Sequence, residues 1–143
     1  MRIAVFAVAA GVALTGCAPT PLAMGKLPPV TDAAQAGEVV VIRPRAFIGD
    51  DFAFYLNVNQ ENVVTMNSRE HTRLRLPAGE HRIAIRCTQA LKEGWSETAI
   101  TQRVVAGQTT YLAVTPKFDC ASLDALSESD GKKLLSSTTL RPL

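Results

Sequence analysis

No stretch of this chain stays apolar long enough to cross a bilayer: its longest such run, Ile3 to Leu14, stops at twelve residues. Charge is sparse and nearly balanced, with 15 Lys+Arg against 13 Asp+Glu and a formal net charge of +2 over 143 residues. Nucleic-acid binding draws on a basic field that this balance does not supply. Histidine occurs twice, cysteine three times and tryptophan once. So little imidazole and thiol leaves little material for metal or nucleophilic chemistry. The sequence also has no Cys-x-x-Cys, no Gly-x-Ser-x-Gly elbow, no Gly-rich phosphate loop and no His-Glu-x-x-His helix. The expectation is a non-enzymatic protein with no catalytic residue, no metal and no cofactor.

What is present starts with an address. Arg2 supplies a positive n-region, the apolar run follows, and Leu14-Thr15-Gly16-Cys17 closes it. Such a run is too short for a span and suits a signal-peptide h-region. The segment resembles the lipobox of bacterial lipoproteins, whose cysteine is acylated and becomes the first residue of the mature chain. That resemblance implies a signal peptide over 1–16, lipid on Cys17 and a membrane partner reached through the anchor. At about 0.8 kcal/mol per buried methylene, one acyl chain holds marginally and two or more hold firmly. Ala18, rather than Asp, after the cysteine implies the outer membrane of the cell envelope, facing the periplasm. The competing reading, Cys17 as a buried thiol in an N-terminal helix, needs a helix with Gly11 inside it and no N-cap.

Residues 17–36 then read as a tether. Pro19, Pro21, Pro28 and Pro29 are half of the chain's eight prolines, and Pro-rich segments run extended at about 3.1 Å per residue. With Cys17 spent on lipid, Cys87 and Cys120 remain in an oxidising compartment and are expected to form a disulfide. Two separate buried thiols are the alternative.

Residues 37–143 read as an all-β domain. Period-two runs cover Glu38 to Arg43, Phe52 to Asn59, Val63 to Met66, Glu70 to Leu76, Arg82 to Thr88, Ser96 to Val105 and Thr109 to Thr115. One face collects Phe52, Phe54, Leu56 and Val58; others collect Thr72, Leu74 and Leu76, or Ile83, Ile85 and Cys87. About seven short strands between turn residues predict a β-sandwich. Hairpins are expected around Pro77 to Glu80 and around Ala106-Gly107-Gln108. Ser127 to Ser136 predicts a short C-terminal helix capped by Ser127 or Ser129, weakened by Gly131, with Leu134 and Leu135 closing one end of the sandwich.

Val39-Val40-Val41-Ile42-Arg43-Pro44, Leu76-Pro77-Ala78-Gly79-Glu80-His81 and Ala106-Gly107-Gln108-Thr109-Thr110-Tyr111-Leu112 together carry a resemblance. They look like uncharacterised bacterial lipoproteins with a small PEGA-like or transthyretin-like sandwich domain. The resemblance implies the fold and transfers no catalytic residue. Where that pattern often has a Val-Asp-Gly turn after its second strand, this chain has Val58-Asn59-Gln60-Glu61-Asn62.

Glu70-His71 and Glu80-His81 repeat a carboxylate–imidazole pair, but parity sends His71 outward with Arg73 and Arg75 and His81 inward with Ile83 and Ile85. Side chains on opposite faces cannot share a tetrahedral metal. Asp50-Asp51 reads as a solvated turn rather than a calcium loop. The charge that stands out lies between residues 69 and 86, where five arginines meet Glu70 and Glu80, a local excess of +3. With the expected hairpin, Arg75 faces Arg82, and Arg73 and Arg86 lie close by. Arginine forks suit phosphate and carboxylate oxygens. Arg73, Arg75, Arg82 and Arg86 are therefore candidates for an anion-binding face toward lipid headgroups, peptidoglycan or an acidic envelope protein. The alternative is a solvated face neutralised by neighbours such as Glu97 or Glu38. Trp95 either caps the core edge or stands out as a binding anchor. The function expected is an envelope interaction or structural module, or else a binder of an anionic envelope ligand.

Overall fold

The computed structural model describes residues 24–88 and 95–143. Cys17 and its lipobox lie outside the described residues, as does the Lys92-Glu93-Gly94 loop. Among the described residues, nine strands and one α-helix follow one another as β1 (Ala36–Arg43), β2 (Phe54–Val58), β3 (Glu61–Met66), β4 (Glu70–Pro77), β5 (Gly79–Thr88), β6 (Trp95–Val104), β7 (Thr109–Pro116), β8 (Ala121–Leu126), α1 (Glu128–Leu135) and β9 (Thr139–Leu140). They form an all-β sandwich: a first sheet ordered β8-β7-β1-β4-β9 and a second ordered β3-β2-β5-β6. Among the described residues no helix is long and apolar enough to cross a membrane.

The core lies where the inward parities meet. Val39, Val41, Leu74, Leu76, Leu112 and Val114 come from the first sheet; Leu56, Val58, Ile83 and Ile85 come from the second. Fully burying each such side chain is worth about 1.5–3 kcal/mol. The inward faces read from the sequence, Thr72/Leu74/Leu76 and Ile83/Ile85/Cys87, are buried. Phe52 is not among them: it precedes β2 and stays 58% exposed. Cys87 and Cys120 are joined by a disulfide, Cα atoms 5.5 Å apart, which ties β5 of the second sheet to the turn between β7 and β8 of the first.

β1 is apolar on both parities for a physical reason. Val39 and Val41 face the sandwich core, whereas Val40 and Ile42 join Tyr111 under Leu126, Leu134 and Leu135 in a second cluster. The helix thus covers the outer face of the first sheet rather than closing an end. Ser127 caps it, its Oγ accepting from Asp130 N at 3.1 Å. Glu128 and Asp130 sit in the first turn and Lys132 and Lys133 in the last, matching the helix dipole. Gly131 costs helix propensity, yet a Cβ there would run into the Tyr111 ring. That close approach explains the glycine.

Neither expected hairpin exists. β4 and β5 lie in different sheets, as do β6 and β7, and β7 instead runs parallel to β1. The chain crosses between sheets at Ala78 and again over residues 105–108. Gly79 has φ 141° and Gly107 φ 72°, conformations that favour glycine. Ala78 N donates to Gln35 O and Gly107 N to Ala36 O, so both crossings are tied to the start of β1. A turn motif reports that the chain reverses; it does not report which sheet receives it.

The residues just before β1 are docked rather than free. Gly25 N donates to Asn62 O at 2.7 Å on the edge of β3, and Leu27 packs on the core. A 3-10 turn, Ala33–Gln35, begins at Asp32, whose carboxylate accepts from Ala34 N. The spacer read from the prolines is therefore laid against the domain from Gly25 onward.

Candidate functional site

The outer face of the second sheet has no covering element among the described residues, unlike that of the first. Register fixes what it displays. Tyr55, Arg86 and Glu97 form one row across β2, β5 and β6; Asn57, Ala84 and Ala99 form the next; Arg82 faces Thr101 beyond them. Trp95 lies at the other end, at the β6 position in register with residue 88 of β5.

Glu97 organises this face. Arg86 Nε lies 2.5 Å from its Oε2, and Arg82 Nη2 binds its Oε1. The path from Arg82 to Glu97 crosses the row of Ala84 and Ala99, whose single-carbon side chains leave room for it. The Arg82 hydrogen bond, with Arg86 adding to it, holds the Glu97 carboxyl below its usual range despite partial burial. Beneath them Asn57 is fully buried; its Nδ2 donates to Asn62 Oδ1 at 3.3 Å, and its Oδ1 has no partner. Trp95, 46% exposed, meets Tyr55 edge-on with ring centroids 5.4 Å apart, spanning β5. Trp95 is thus a partly exposed residue at the end of β6 rather than a buried cap on the core.

The four nominated arginines do not form one face. Arg73 and Arg75 lie on β4 in the first sheet, Arg82 and Arg86 on β5 in the second. Arg75 pairs in register with Glu38, not with Arg82, and His71 with Ile42, not Arg86. The sheet crossing at Ala78 is the cause, since stacked sheets stand about 10 Å apart. Arg73 forms an ion pair with Glu38 at 2.8 Å and Arg75 donates to Ala33 O at 3.3 Å. Glu38 and Glu97, the two carboxylates named from the sequence as neutralising neighbours, are the ones engaged.

The histidines are parted as parity required. His71, on the outer face of the first sheet, has Nδ1 2.9 Å from Thr138 Oγ1. Burial, with Arg73 adding repulsion, pushes its pKa below the ordinary histidine value. His81 is buried: its Nε2 donates to Pro77 O at 2.9 Å and its Nδ1 accepts from Asn59 Nδ2 at 3.0 Å. It staples the β4–β5 crossing to the β2–β3 turn, where Asn59 and Gln60 both have positive φ. Asp50 accepts from Ser68 Oγ and from Ala46 N, and the Ser68 bond chiefly lowers its pKa.

Sequence reasoning missed Arg43. It is fully buried, its guanidinium donating to Met66 O at 2.7 Å and Gly49 O at 2.6 Å and lying 4.0 Å from the Phe54 ring centre. Burial lowers its pKa, with Asp50 and Glu70 opposing that shift. Strand parity was the available signal, because Val39, Val41 and Arg43 share the inward side. Arg43 shapes the loop before β2, where Phe47 and Ile48 are exposed; Phe118, beyond β7, is exposed at the same end.

No protein-family model, curated protein or solved structure matches this chain.

Proposed function

We propose that this chain is a lipid-anchored protein of the bacterial cell envelope. It works without catalysis as an interaction or structural module, through the uncovered face of β2, β5 and β6. The observation that carries the reading is the contrast in cover: α1 packs on one sheet, while the other displays Trp95, Tyr55 and a polar Arg–Glu–Arg group. Exposed aromatics beside arginine are the residue types that anchor protein–protein contacts. The lipobox resemblance supplies the location, with Cys17 acylated, residues 1–16 removed and the outer membrane as the site. Kinship with PEGA-like or transthyretin-like lipoproteins belongs to the same proposal and rests on the sequence resemblance alone.

Replacing Cys17 with Ser tests the anchor. The variant is expected to lose fatty-acid labelling and leave the membrane fraction; unchanged fractionation overturns it. Crosslinking in intact cells, with Trp95→Ala as the comparison, tests the face. Loss of captured envelope protein in the variant supports the reading, and identical capture overturns it.

A second reading has its own observation. Arg82 and Arg86 share one carboxylate, so their side chains with Glu97 keep a net positive charge toward solvent. That suits an anionic envelope ligand, a lipid headgroup or a peptidoglycan carboxylate, read by two arginines rather than four. Binding of the full chain to sacculi and to anionic liposomes should fall when Arg82 and Arg86 become Gln; unchanged binding removes this reading.

A further inference from the structure

A sheet edge offers unpaired backbone donors and acceptors, and three of the four edges here are managed. β9 pairs with the outer side of β4. Gly25 N caps Asn62 O on β3. β8 is only six residues long. β6 has none of these devices: it runs ten residues without proline, lysine or a break in its register with β5, and no described strand pairs with its outer side. Such an edge is a template for another strand.

The charges on β6 identify which strand fits. Its only ionised side chains are Glu97 and Arg103, each three positions from Ile100 and both on the outer face. Place a second β6 antiparallel, with Ile100 opposite Ile100. Glu97 then faces the other copy's Arg103, and Arg103 its Glu97. Within each copy Arg86 already faces Glu97, and Glu80 faces Arg103. The row across both copies therefore runs Arg86, Glu97, Arg103, Glu80, alternating in sign over four strands, and the twofold axis repeats it in reverse. A slip by one residue turns the faces over, and a slip by two sets each charge opposite an uncharged residue. Half-buried Ile100, already packed against the core, gains an apolar partner on the axis. We infer that two copies of this chain pair edge to edge through β6 about Ile100, merging their second sheets and doubling the uncovered face. The pairing is isologous, as a closed dimer requires.

The test uses the full chain in membranes of the expressing cells, bearing either Ile100→Cys or Gln102→Cys, under mild oxidation. Ile100→Cys is expected to give a disulfide-linked species of twice the chain's mass. Gln102→Cys, whose counterpart lies displaced across the axis, should give little. In the Ile100→Cys background, Arg103→Glu sets carboxylates opposite each other and should lower the yield roughly tenfold, while Arg103→Lys retains it. Retention of the Cys87–Cys120 bond confirms that each variant has folded. Equal crosslinking at 100 and 102, an unchanged yield with Arg103→Glu, or a product of a different mass overturns the pairing. None of these outcomes alters the fractionation of the Cys17→Ser variant, so anchor and dimer fail separately.

Discussion

The first sheet carries a helix over the outer face of β1 and β7, and the second has no such cover among the described residues. On the first, α1 and Leu126, Leu134 and Leu135 cover Val40, Ile42 and Tyr111, and β9 closes the β4 edge. On the second, the outer face carries Tyr55, Arg82, Arg86, Glu97 and Trp95, and among the described residues no element covers it and no strand pairs with the β6 edge. Burial on both faces makes β1 apolar without alternation; burial on one face leaves β6 alternating along nearly its whole length. The comparison points to where contacts with other molecules belong, because the outer face of the second sheet presents an aromatic pair over which no described element packs.

The largest expected effect concerns the tie between the sheets. Replacing Cys87 and Cys120 with Ala should cost about 3–4 kcal/mol by loop-closure entropy, read as a lower urea midpoint. A loss well under 1 kcal/mol would mean that packing alone aligns the sheets.

Next comes the covered face. Gly131→Ala improves helix propensity by about 1 kcal/mol but drives a methyl into Tyr111, so a net loss of about 1–3 kcal/mol is expected. Ala99→Ser on the uncovered face should stay within about 0.5 kcal/mol. Equal effects at the two positions would erase the contrast. Trp95→Ala should cost about 0.5–1.5 kcal/mol, the worth of its edge-on contact with Tyr55, because nearly half of the ring already meets water.

The smallest effects are in pH. His71 has a lowered folded pKa, so its contribution to stability is present above the ordinary histidine value of 6.5 and is lost as pH falls below it. Glu97, also lowered, contributes above the ordinary 4.5 and loses that contribution at more acid pH. Urea midpoints followed from pH 8 to 3 should lose the upper inflection in His71→Gln and the lower one in Glu97→Gln. Inflections unchanged in both variants would remove these assignments.

Much of this was legible in local pattern. Period-two parity placed Leu74, Leu76, Ile83 and Ile85 inside and separated the two histidines, and Ser127 was readable as a cap. Strand partnership was not legible, because Pro77-Ala78-Gly79 and Ala106-Gly107-Gln108 encode a change of direction while the receiving sheet is set by contacts distant in sequence. Following hairpin logic put Arg75 against Arg82, and the crossing at Ala78 parted them. β8 escaped notice because Ala121-Ser122-Leu123-Asp124 has weak strand propensity and is held by pairing with β7. Arg43 was hidden by its charge, although its parity pointed inward. Gly131 read as a weak point in a helix, and only the Tyr111 ring beneath it gives the reason.

The most direct test of the second sheet as the contact surface is hydroxyl-radical footprinting of the full chain, in native envelopes and after purification, read by mass spectrometry. The account predicts that Trp95 and Tyr55 are oxidised in the purified protein and protected in the envelope, while Tyr111 under the helix is protected in both. Equal oxidation of Trp95 in the two settings would contradict it.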